Sequence, residues 1–142
     1  MKNASRTRPA RNFRKMNKRE ASVLGKFAKQ MASFMYDYAA DGGAIGSYLS
    51  GIKLPANSVV TKVYTDEQTA VAGATSITLN AGATALTAAL DLTASAGFQS
   101  PALAGAAAGI KLASASELSI AIASAAATAG KVRFAVEFFI SE

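Results

Sequence analysis

The strongest constraint on the fold is a pair of period-two segments near the C-terminus. Leu118, Ile120 and Ile122 alternate with Glu117, Ser119 and Ala121. Val132, Phe134, Val136, Phe138 and Ile140 alternate with Lys131, Arg133, Ala135, Glu137 and Phe139. Successive side chains of a strand point to opposite faces, so each segment buries one face as a strand and would scatter its apolar residues around a helix. Ser124 to Gly130 links them, and Gly130 suits a positive φ at the loop exit. Proximity in sequence predicts a C-terminal hairpin.

Further period-two segments precede this pair. Tyr48 to Leu54 and Val59 to Thr65 read as strands on either side of Pro55-Ala56-Asn57, and Ser76 to Leu79 as another. Leu86, Ala88 and Leu90 fit a strand, although alanine-rich sequence is equally compatible with helix. Gly97 to Gly109 reads as loop, with a short helical turn within Ala102–Ala108. Several short strands separated by small-residue turns predict a mainly β body over residues 44–142, an antiparallel β-sandwich of jelly-roll-like or Ig-like type.

The first 43 residues differ in character. Residues 1–29 hold ten basic groups against Glu20 alone, whereas the other 113 residues hold five basic and eight acidic groups. The net charge of +6 is therefore a basic segment on a mildly acidic body. Residues 1–16 read as an extended basic arm, with Phe13 and Met16 as its large apolar residues after the initiator. Asn17 with Glu20 forms a helix-start signature, and a helix is expected from Lys18 to about Ala40. Val23, Phe27, Met31, Phe34 and Tyr38 share one face of that helix, and Gly42-Gly43 ends it. The face is either core or a contact with a neighbouring chain, since both remove it from water. Arg6, Arg8, Arg11, Arg14, Lys15, Lys18 and Arg19, with Phe13 and Met16, are the candidate partner-binding residues of the arm. Their charge suits an acidic protein surface or nucleic-acid phosphates.

Composition removes most catalytic readings. The chain has no histidine and no cysteine, which excludes Ser-His and Cys-His catalysis, thiolate nucleophiles, structural zinc and disulfides. Asp66, Glu67, Asp91, Glu117 and Glu137 are the carboxylates available for glycosidase chemistry, but Glu117 and Glu137 fall on polar strand faces. Gly105 to Lys111 superficially resembles a phosphate loop, yet its glycine spacing is one residue short and Lys111 does not follow Gly109 directly. No cofactor or metal is expected, and the protein reads as a non-enzyme. A secretory signal peptide is not evident. Uncharged runs such as Gln68–Leu90 are too rich in Gly, Ser, Thr, Asn and Ala to span a membrane as a helix. A soluble protein without a membrane partner is expected.

From Gly51 to Tyr64 the sequence reads Gly-Ile-Lys-Leu-Pro-Ala-Asn-Ser-Val-Val-Thr-Lys-Val-Tyr, and Thr128-Ala129-Gly130-Lys131 precedes the last, aromatic strand. With the small-residue middle, these elements make residues Gly46–Ser141 resemble small virion structural proteins of tailed bacteriophages. That group includes capsid decoration (cement) proteins, head fibres and tail-associated modules, commonly built on β-sandwiches. The resemblance implies a non-enzymatic capsid cement protein located in the virion; the arm and helix lie outside it, and the charge division leads us to expect that they bind the major capsid protein or another virion protein. The resemblance also implies a homo-oligomer or symmetric multicopy assembly. A tail adaptor or fibre-base role, and a nucleic-acid-binding role for the arm, remain alternatives.

Overall fold

The computed structural model describes residues 28–73, 76–93 and 97–141. The arm of residues 1–16, and the part of the expected helix that carries Val23 and Phe27, lie outside them. The described chain is mainly β and forms two antiparallel sheets. Its strands are β1 (Gln30–Asp37), β2 (Gly46–Leu54), β3 (Ser58–Thr69), β4 (Ser76–Ala81), β5 (Thr84–Ala85), β6 (Phe98–Gln99), β7 (Ile110–Lys111), β8 (Ser116–Ala123) and β9 (Lys131–Ile140). One helical turn, α1 (Tyr38–Asp41), follows β1, and a 3-10 turn spans Ala104–Ala106. The first sheet runs β1-β9-β3-β6, with β7 also on β3; the second runs β2-β8-β4-β5.

Period two dictates which side chains meet. In the first sheet, Phe34, Phe134 and Thr65 form one inward row, and Tyr36, Val132 and Glu67 the next. In the second sheet, Tyr48, Ile120 and Leu79 are aligned. Buried residues of both sheets belong to one hydrophobic cluster, in which Val60, Val63, Leu79, Leu118, Ile120, Val132, Phe134 and Val136 have no solvent exposure. Removing such side chains from water is the main favourable term holding the sheets together.

Three expectations are corrected. The helix expected to continue to about Ala40 is instead strand β1 from Gln30 to Asp37, paired along its length with β9. Ala32, Phe34 and Tyr36 alternate toward the core, while Met31 and Ser33 face outward and are exposed. Apolar residues at Met31 and Met35 on the outer face blur the period-two signal and mimic helical spacing. Pairing with β9 overrides the local preference. Among residues 28–43, helical geometry is confined to α1, where the Asp37 carboxylate accepts a hydrogen bond from Ala39 N at 3.0 Å. β1 lies within the 17–43 segment and is a strand of the first sheet.

The C-terminal hairpin is the second correction. β8 and β9 lie in different sheets, so residues 124–130 cross between sheets rather than turn within one. β8 is flanked by β2 and β4, and β9 by β1 and β3, so neither has a free edge for the other. The strands around Pro55-Ala56-Asn57 form as expected, with Asn57 at φ 63° in the turn between the two sheets. The third correction is that the Leu86–Leu90 segment is not a continuous strand: β5 covers Thr84–Ala85, and Thr87 and Leu90 make isolated bridges to Leu103 and Ile77. Gly130 has the expected positive φ, 143°.

Candidate interaction surfaces

Two of the links that pass between the sheets, residues 38–45 and 124–130, meet at one end of the body. Ala127 N donates to Gly43 O at 2.8 Å and Tyr38 N to Gly130 O at 3.0 Å. Gly43 is required there because a Cβ would lie 2.8 Å from the Ala127 carbonyl carbon and from Tyr38 Cε2. The Tyr36 hydroxyl donates to Gly42 O at 2.7 Å, and the Tyr48 hydroxyl to Ala44 O at 2.7 Å. The two rings meet edge-on with centroids 5.6 Å apart. Burial, then the neighbouring Tyr48 and Asp41, push the Tyr36 hydroxyl up to about 12. It therefore acts as a neutral donor at physiological pH.

A shallow cavity of about 260 Å³ opens beside these tyrosines, between edge strands β1 and β2, with Phe34, Tyr36, Asp41, Tyr48, Leu49 and Ile120 among its walls. Its polar hydroxyls are held by backbone carbonyls, so this region is a seam between the sheets with an exposed rim at Leu49.

The outer face of the first sheet is mixed in character. Lys29 Nζ lies 3.2 Å from Glu137 Oε1, and Thr61 Oγ1 donates to the same carboxylate oxygen at 3.0 Å. The Thr61 hydrogen bond, followed by that from Lys29, holds the Glu137 carboxyl below its usual range. Register places Arg133 beside Asp66 and Lys131 beside Asp37. Tyr64 and Phe98 stack with centroids 5.5 Å apart, and Phe98 remains 70% exposed.

The sequence-derived candidates are distributed as follows. Arg6, Arg8, Arg11, Phe13, Arg14, Lys15, Met16, Lys18, Arg19, Val23 and Phe27 lie outside the described residues. Met31 points outward and is exposed, whereas Phe34 points inward and stacks on Phe134 with centroids 5.4 Å apart. Tyr38 begins α1 and is partly exposed. These three therefore do not form one face. Sequence reading missed the Tyr36–Tyr48 contact and the Lys29–Glu137–Thr61 cluster. Alternation of Ala32, Phe34 and Tyr36 was the available signal for the first; the second joins distant strands and left none.

Among the described residues, no group of three metal-ligating side chains comes together, and no helix is long and apolar enough to cross a membrane. No family model matches the chain, and no curated protein matches it. Solved structures do. A chain in the acid-stable capsid of the Helicobacter pylori bacteriophage KHP30 matches with a TM-score of 0.58 at 16% identity, covering 80% of this chain and 89% of that one. A chain in the capsid asymmetric unit of cyanophage Pam1 matches with a TM-score of 0.60 at 16% identity, covering 82% and 87%. The fold is thus one found in phage capsids.

Proposed function

We propose that this chain is a non-enzymatic structural protein of a tailed-phage virion, a capsid cement or decoration protein. Its β-sandwich body would sit on the shell in many copies, and its basic N-terminal arm would attach it to the major capsid protein. The observation that carries this reading is the shared fold with chains of two phage capsids, which spans most of each partner's length. The charge division supports it: a basic arm reaches an acidic neighbour, while the acidic body does not compete for nucleic acid. Sixteen extended residues span up to about 55 Å, enough to cross a joint between neighbouring subunits.

Truncation of residues 1–16 tests the attachment mode. The body should keep its thermal midpoint, while binding to shells that lack the protein falls sharply. With a protein partner, Phe13→Ala also weakens binding, and empty shells bind as well as DNA-filled ones. Unchanged decoration by the truncated chain would refute the arm's role. A strong preference for filled shells would favour nucleic-acid contact instead.

A further inference from the structure

The sheet edges of the described body are unequally protected. Free edges invite pairing with another chain, and proteins guard them with short strands, bulges, glycine or charge. β5, β6 and β7 are two residues long. β2 is long but carries a register shift between Leu49 and Lys53, Gly51 at φ 78° and an exposed lysine at position 53. β1 is guarded only at its end, where Asp37 N donates to the Asp41 carboxylate at 2.9 Å. It runs eight residues in regular register with β9, its first seven residues are uncharged, and no proline or glycine interrupts it. Among the described residues, no strand occupies its far edge.

We infer that β1 is a homotypic assembly edge, pairing antiparallel with β1 of a second copy about a two-fold axis through Ser33. The β1 sequence is complementary to its own reverse in this register. Ser33 faces its symmetry mate, and Met31 faces Met35 on the outer side. Ala32 faces Phe34 on the core side, small against large. Lys29, just before the strand, faces Asp37 at its end, so opposite charges close both ends of the pair. Every opposed pair shares a face, as antiparallel geometry demands. Shifting the register by two residues would put Lys29 opposite Met35 and remove this charge match. The Lys29 side chain is 64% exposed while it contacts Glu137, which leaves it accessible to a second carboxylate. The interface is isologous and closes at two copies, without leaving an open fibre edge at β1. The two first sheets then form one continuous sheet across the dimer.

The absence of cysteine makes the register testable with single thiols. In the full-length chain, Ser33→Cys should form a disulfide-linked dimer under mild oxidation, because directly opposed residues bring their Cβ atoms close. Ser47→Cys, exposed on guarded β2, should cross-link much more slowly. Met31→Cys mixed with Met35→Cys should give the heterodimer faster than either gives its homodimer. Sedimentation equilibrium should show a dimer for the native chain. Ser33→Lys, which opposes two like charges at an exposed position, should raise its dissociation constant roughly fivefold or more without changing the thermal midpoint of the monomer. A native chain that remains monomeric, a dimer unaffected by Ser33→Lys, or equal cross-linking at positions 33 and 47 would overturn the proposal. Pairing of this edge with a different virion protein would appear as a chain monomeric by itself, and would count against the second-copy assignment.

Discussion

The two sheets enclose the same core but contribute to it differently. The second sheet faces it largely with aliphatic residues, including Ile77, Leu79, Leu118, Ile120 and Ile122. The first adds the aromatic rings of Tyr36 and Phe134, and also buries Ser58, Thr65 and Glu67. Aliphatic packing tolerates modest changes of shape, whereas a buried polar group stabilises only when its hydrogen bonds are made. Both sheets should therefore respond to packing substitutions, and the sign of a polar substitution should depend on whether the buried hydroxyl has its hydrogen-bond partner.

The largest effects should come from the centre of each sheet. Phe134→Ala should destabilise by about 3–5 kcal/mol, and Ile120→Ala by about 2–5 kcal/mol, as measured by denaturant unfolding. Both side chains are fully buried. A loss below about 1 kcal/mol in either would mean that its sheet is not closed over a common core.

At the end where the links between sheets converge, Gly43→Ala should also lower the thermal midpoint. Its new Cβ would collide with the Ala127 backbone and break the close approach that permits Ala127 N to reach Gly43 O. Backbone cannot move aside as a flexible side chain can. Full retention of the midpoint would contradict the packing between these links.

Opposite signs are expected from two threonines. Thr87 is buried in the second sheet's surroundings, and its hydroxyl accepts from Leu79 N at 3.2 Å. Thr87→Val should cost about 1–3 kcal/mol by removing that acceptor. In the first sheet the Thr65 hydroxyl is buried with no hydrogen-bond partner among the described residues. Thr65→Val keeps the shape and removes the cost of desolvating the hydroxyl, so it should be neutral or stabilising by up to about 1 kcal/mol. Chemical unfolding of the two variants side by side would show whether the sheets differ in this way.

The smallest effect should be the acid response of Glu137. Its folded carboxyl lies below the ordinary range because Thr61 and Lys29 bind the charged form. The resulting stability is present above the unfolded carboxyl's ordinary value and is lost as pH falls through the lowered folded value. Glu137→Gln should flatten this part of the acid-unfolding profile and leave stability near neutral pH only slightly changed. An unaltered acid profile would remove the cluster from the account.

Legibility in sequence followed the contrast between the two strand faces. β9 is plain because Lys131, Arg133 and Glu137 mark its outer face against Val132, Phe134, Val136 and Phe138. β1, its neighbour, has Met31 and Met35 on the outer face, and the same residues that blur its alternation also satisfy helical spacing. Strand partners were less visible than strands. β8 and β9 look like a hairpin because they are adjacent in sequence, but each has two better-placed neighbours contributed from far along the chain. The candidate surfaces shared that limit: Thr61 and Glu137 meet across a separation of 76 residues, which no local pattern records.

The most direct test of the virion assignment is the stoichiometry of washed, gradient-purified particles carrying the gene for this chain, measured by quantitative mass spectrometry. A cement protein should approach the abundance of the major coat protein. A few to a few dozen copies per particle would move it to the tail, and absence from the particles would contradict a structural role in the virion.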